Sequence, residues 1–196
     1  MKKQLSLLLS LASAALLLTG CATTLPQPLH SAAGFQPESM DAVYILPVVD
    51  ARADKKLSLN LGGLQRNMAS SLQQKRYKVV VLEDTNLVAG ITDEDLKEPT
   101  PDWVKGIGPS ESRWVMALAV GELSRKITFG STGNAEVNLF IFDKQTGTLV
   151  WEDKGLGRAG QGGLLGMMMV SMMDEAAIEN AMNQVMVKFP KKPKGT

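Results

Sequence analysis

Cysteine and histidine each occur once in these 196 residues, as Cys21 and His30. A single cysteine rules out a disulfide within the chain. With the one histidine confined to a proline-rich stretch near the amino terminus, serine–histidine and cysteine–histidine mechanisms lack a base. Aromatic residues make up only 5%. No row of them marks a sugar groove beside the acidic neighbours Asp50, Asp54, Asp93, Glu94 and Asp95, so paired-carboxylate glycoside hydrolysis has no support. An excess of one charge is lacking too. Lys and Arg number 21 against 20 Asp and Glu, which leaves no basic surplus to neutralise phosphates, and nucleic-acid binding is not expected. The amino-terminal apolar run, residues 5–18, falls short of the ~18 residues that span a bilayer.

That run has a different use. It follows Met1-Lys2-Lys3, contains only Leu, Ala and Ser, and ends in Leu18-Thr19-Gly20-Cys21. A basic start, a short apolar core and small residues at the end describe a secretory signal peptide. The four-residue ending resembles the lipobox of bacterial lipoproteins, in which the signal is cut before the cysteine and that residue becomes the lipidated amino terminus. Cys21 is therefore the expected lipid-attachment site, which also accounts for one odd cysteine in an exported chain. In such proteins an Asp after the cysteine favours retention in the inner membrane. Ala22 stands there, so the resemblance implies the outer membrane, facing the periplasm. Loss of residues 1–20 would leave 19 basic against 20 acidic residues.

The expected organisation is a signal peptide at 1–20, a lipidated start and flexible tether at 21–39, one domain at 40–190 and a basic tail at 191–196. Pro26, Pro28, Gly34 and Pro37 argue against regular structure in the tether. The folded part opens with Ala42-Val43-Tyr44-Ile45-Leu46-Pro47-Val48-Val49, a strand covered on both faces that leaves the sheet near Pro47. Leu57, Leu61, Leu64, Met68 and Leu72 recur at helical spacing, with the helix secure from Leu64 because Gly62-Gly63 weaken its start. Lys78-Val79-Val80-Val81-Leu82 completes a βαβ unit. Short helices are expected near 85–88 and 102–105, then strands at 114–120, 122–129, 137–142 and 148–151. Turns are expected at 130–134 and 143–147, and a helix over 164–189 ends at Pro190. The fold class is α/β: a βαβ unit followed by an antiparallel meander in one mixed sheet, helices packed on it and a helix at the carboxyl end.

Two features invite a chemical interpretation. Gly155-Leu156-Gly157-Arg158-Ala159-Gly160 fits G-x-G-x-x-G, but no parallel strand and ribose-binding acid follow, so a dinucleotide site is not expected. These glycines, with Gly162 and Gly163, are expected to form a mobile loop or to let the chain pack close to a neighbour. Seven of the eleven methionines fall between Met167 and Met186. Successive helical residues turn through ~100°, so Met167, Met168, Met169, Met172 and Met173 cannot all face inward. With Leu164 and Leu165 they form a candidate partner interface, protein-facing or membrane-facing. Plain core packing and a Cu(I) site of soft thioethers are the alternatives.

The strands at 43–47, 78–82 and 113–120, the Asp143-Lys144-Gln145-Thr146-Gly147-Thr148-Leu149-Val150-Trp151 hairpin and the closing helix come in a familiar order. It resembles that of periplasmic lipoproteins related to the soluble domain of the curli-secretion lipoprotein and to the amino-terminal domain of the Tol-system propeller protein. The resemblance implies a domain without catalysis or cofactor that works through self-association or other envelope proteins. A subunit of an oligomeric outer-membrane secretion complex is a further alternative. The curli-secretion type builds a pore from two extended amphipathic hairpins, and the segments at 130–133 and 155–166 are expected to be too short and too glycine-rich to match. The function expected is that of a non-enzymatic, lipid-anchored accessory or partner-binding module, attached to the membrane through Cys21, with no nucleic acid and no small-molecule substrate.

Overall fold

The βαβ unit is present in a computed structural model that describes residues 27–55 and 57–194. The expected signal peptide and Cys21 lie outside those residues. β1 (His30–Ser31) precedes β2 (Ala42–Ile45), and β3 (Val49–Asp50) follows after a break at Leu46-Pro47-Val48. Pro47 has no N–H to give a ladder, so the apolar run pairs in two pieces. β2 lies parallel to both β4 (Lys78–Val81) and β5 (Trp114–Thr128), while β3 pairs β5 further along, at Ala119 and Val120. The crossover helix, α1 (Leu61–Gln74), begins three residues earlier than the glycines suggest. Asn60 caps it by accepting the Gly63 N–H at 3.0 Å, and a Cβ at Gly63 would collide with that cap. Leu64, Met68 and Leu72 face the sheet as expected.

β6 (Gly130–Asp143) and β7 (Thr148–Gly162) complete a sheet of seven strands among the described residues, in the order β1-β7-β6-β5-β2-β4 with β3 beside β5. Its near half is covered twice. Met116, Leu118, Leu139 and Ile141 lie under α1 and the long terminal helix, α5 (Val170–Lys188). Val115, Ala117, Phe140 and Phe142 lie under Leu96 of α2 (Asp93–Lys97), Val104 of α3 (Pro101–Gly106) and Ile107, which caps the end of α3. α2 was not apparent from the apolar pattern; a reciprocal Thr92–Asp95 capping box starts it.

The meander is longer than its sequence suggests. The expected turn at 130–134 and the expected glycine loop at 155–160 are both strand interior. The chain reverses at Phe129 alone, with Gly130 at φ +125° and Thr128 paired to Gly130. β5 and β7, of 15 residues each, therefore run for ~50 Å, and the meander continues as a three-stranded ribbon beyond the core. Residues 130–133 and 155–162 are extended strand, contrary to expectation, and 163–166 are helical. At Gly121 a bulge shifts the alternation, so that Leu123 and Arg125 rather than Glu122 turn towards α5.

The closing helix is divided at Met169 into α4 (Gly163–Met168) and α5 (Val170–Lys188). Ile178, Met182, Val185 and Phe189 are buried as expected, and Glu175, Glu179 and Asn183 are exposed. Of the two roles expected for the glycines, close packing is the one observed. A Cβ at Gly155 or Gly157 would overlap the carbonyls of Ala181 or Ala177, and one at Gly133 would meet the Met173 carbonyl. Two residues along a strand and four along a helix both advance ~6 Å, so Gly155 and Gly157 match Ala181 and Ala177. The G-x-G spacing is a helix seat.

Two terminal segments are held more closely than expected. In the stretch expected to be tether, Ser31 pairs Trp151, His30 pairs Glu152, and Phe35 packs on Trp114 and Trp151 with ring centroids 5.5 and 6.2 Å away. The aromatic at 35 outweighs the local prolines. In the basic tail, Lys192 donates its backbone N–H to the Lys75 carbonyl and its Nζ to the Met40 carbonyl at 2.6 Å.

Replacing Gly157 with Ala should force α5 off the ribbon, costing about 2–3 kcal/mol and lowering Tm by roughly 5–10 °C. Gly162→Ala, where a Cβ meets nothing within 4 Å, should leave the melting curve unchanged. Equal melting of the two variants would show that the seat is loose.

Candidate interaction surface

The far end of the ribbon is built from two turns tied together. The Gly163 N–H donates to the Phe129 carbonyl at 3.3 Å, and the Ser131 hydroxyl donates to the Gly166 carbonyl at 2.6 Å. Gly163 takes φ +73°, and Gly166 lies against Gln161 and Gly130 with no room for a Cβ. α4 is thereby folded across the end of the ribbon, with its larger side chains left outside. Leu164 and Leu165 are exposed, and Met168 is 82% exposed. Met167 and Met172 are exposed as well, while Met169 and Met173 are half-buried where α4 passes into α5. Met182 and Met186, further along, are core residues. The seven residues expected to form an interface are thus gathered at one end, and five of them face outward.

The hairpin of β5 and β6 adds two residues that were not anticipated. Ile127 is exposed, and Phe129 is 80% exposed beside the α4 turn. The signal for them was present: an aromatic next to a glycine, Phe129-Gly130, amid polar residues, with nothing in the local pattern to bury it. Full burial of a side chain of this size is worth about 1.5–3 kcal/mol, so leaving so many in water together makes this end the candidate contact surface.

Electrostatics fix the ribbon beneath this end. Asp174, buried in the first half of α5, is ion-paired with Arg125 from β5, and its second oxygen has no partner among the described residues. Lower down, buried Asp153 pairs Lys188 at 3.0 Å. Along the outer edge of β7, side chains four apart on α5 meet alternate backbone groups. Lys188 donates to the Lys154 carbonyl, Gln184 accepts the Leu156 N–H, and Asn180 donates to the Arg158 carbonyl. This covers an edge that would otherwise invite pairing with another strand. The ribbon face turned away from α5 carries Glu122, Ser124, Lys126, Asn134, Leu156 and Arg158, all exposed.

Perturbed ionisable groups lie elsewhere and hold loops. The bidentate Arg52 guanidinium, 2.7 and 2.8 Å from Asp50, keeps that carboxyl below its ordinary range, and Arg52 also donates to the Leu57 carbonyl. Burial lowers Lys144, whose ammonium donates to the Pro109 carbonyl, and raises the Tyr77 phenol, which donates to the Pro190 carbonyl. A groove of about 650 Å³ lies where β2, β3 and β4 end, bordered by Asp50, Lys55, Gln65, Arg66, Glu83 and Ile91. The amide of Gln65 is spent there on the Ile45 and Leu82 carbonyls. Among the described residues no helix is long and apolar enough to cross a membrane, and no cluster of His, Cys, Asp and Glu is placed to hold a metal.

No known protein-family profile matches the chain, and no curated protein matches it in sequence. Solved structures show a weaker likeness. It is similar to lipoprotein GNA1162 from Neisseria meningitidis, at 19% identity over 72% of this chain and 100% of that one, with a TM-score of 0.47. It is similar to the LpoB C-terminal domain from Salmonella enterica, at 16% identity over 59% and 82% of the two chains, with a TM-score of 0.39. A minor lipoprotein from Acinetobacter baumannii matches at 11% identity over 79% and 98%, with a TM-score of 0.43. Likeness at this level assigns no residue a role.

Arg125→Met would leave Asp174 buried without its cation, at a cost of about 2 kcal/mol in urea unfolding. Adding Asp174→Asn to that variant should recover most of the loss. If Arg125→Met unfolds at the wild-type midpoint, the pair contributes nothing to holding α5.

Proposed function

We propose that the chain is a lipid-anchored, non-enzymatic accessory protein of the bacterial envelope, which works by contact and not by chemistry. The signal at 1–20 is removed, Cys21 carries the acyl chains, and the domain faces the periplasm from the outer membrane. Its contact surface is the ribbon end formed by Leu164, Leu165, Met167, Met168, Met169, Met172 and Met173, together with Ile127 and Phe129. One observation carries this: a rigid ribbon, locked by a helix seated on glycines, projects an exposed apolar end that the domain's own core does not use. Thioether side chains adapt to irregular surfaces, and the backbone beneath them is fixed, so the end can re-pack its side chains without rearranging the fold. The order of elements also fits the curli-secretion-like and Tol-propeller-like group, whose members act through self-association or partners.

The anchor and the contact surface are tested separately in cells. The wild-type chain should incorporate labelled palmitate and sediment with outer membrane, and Cys21→Ser should do neither. A photo-reactive residue at Leu165 should form adducts, while one at Gln145, at the opposite end, should not. Soluble, unlabelled wild-type protein would remove the anchor; an equal absence of adducts at both positions would remove the surface.

A further inference from the structure

Resting on the lipid anchor proposed above, we infer that the apolar end of the ribbon is occupied by the same leaflet that holds Cys21, with Phe129, Leu164, Leu165 and Met168 entering its interface as a second, non-covalent attachment. The direction of the chain supports this first. β1 is antiparallel to β7, with His30 opposite Glu152 and Ser31 opposite Trp151. β7 runs from Thr148 up to Gly162 at the apolar end. The chain therefore enters β1 from the side of that end. Reach agrees with direction. The nine steps from Cys21 to His30 extend to about 30 Å at ~3.3–3.6 Å each. The ten steps along β7 from Glu152 to Gly162 cover about 33 Å. A headgroup-level Cys21 and a membrane-touching Phe129 are thus within the reach of the chain.

Charge selects the occupant. Residues 123–135 and 155–173 contain Arg125, Lys126 and Arg158 and not one Asp or Glu. Arg125 is committed to Asp174, but Lys126 and Arg158 are exposed on the outer face of the ribbon. A projecting end of Phe, Leu and Met with basic neighbours suits an anionic lipid interface, where apolar insertion and headgroup attraction act together. A second copy of this chain would bring the same positive charge to the contact.

The test uses the full processed chain in vesicles of phosphatidylethanolamine and phosphatidylglycerol. Acylation consumes the Cys21 thiol, so Phe129→Cys offers the one thiol for an environment-sensitive dye, with Gln145→Cys as the control. The dye at 129 should emit to the blue and be quenched several-fold more than the dye at 145 by lipids carrying a spin label on the acyl chain. Lys126→Glu with Arg158→Glu should reduce that quenching. A water-like dye at 129 on vesicle-bound protein overturns the inference and leaves the anchor standing. A shielded dye that lipid-borne quenchers cannot reach overturns it in favour of a protein cover. If the wild-type chain itself takes up dye at Cys21 and fails to float with vesicles, the anchor is wrong and the inference falls with it.

Discussion

The approach of α5 to the ribbon is the constraint on which the rest depends. Helices ordinarily pack on sheets through interleaved side chains. Here Gly133, Gly155 and Gly157 remove the side chains from one layer, and Ala177 and Ala181 reduce them in the other. The helix backbone then lies close enough for Lys188, Gln184 and Asn180 to reach the edge of β7, and for Asp174 to meet Arg125 on β5. Without that proximity, a three-stranded ribbon rich in glycine and open on one face would have little to hold it straight. A glycine in a strand costs conformational entropy, so its repeated use here makes sense only if closeness offsets that loss.

From this follows the division of the domain into two parts. The near half of the sheet, covered on both faces, supplies the core. The far half is covered on one face only and ends in side chains that no core claims. Rigidity in the first half and apolar exposure in the second are consistent with a scaffold that presents a surface. The perturbed ionisable groups point the same way, since Asp50, Lys144 and Tyr77 are each engaged in holding a loop or the carboxyl-terminal segment.

Much of the fold was legible. The βαβ unit, the break at Pro47, the turn at 143–147 and the inward rhythm of Ile178, Met182 and Val185 are all local patterns of apolar residues, and such patterns report burial directly. What the sequence concealed was set by partners distant along the chain. Gly133, Gly155 and Gly157 carry turn composition, yet they are strand because α5 needs their emptiness, and no window of neighbouring residues contains that information. Phe35 and Lys192 were obscured likewise, by a proline-rich setting and a terminal one. The proposed interface residues were reached from an impossibility, five methionines in seven positions that one helix cannot bury. Phe129 was missed because the turn was placed at 130–134, just beyond it. The lipid site rests wholly on the order of residues at 18–21, which lie outside the described structure.

The seat of α5 on glycine should keep the far ribbon as ordered as the core. Amide hydrogen exchange over residues 130–136 and 155–162 of the full chain measures this directly. Protection within about tenfold of that in the near halves of β5 and β6 is the expected result. Exchange at unprotected rates in those segments, with the near halves still protected, would mean a frayed ribbon and no fixed end to present.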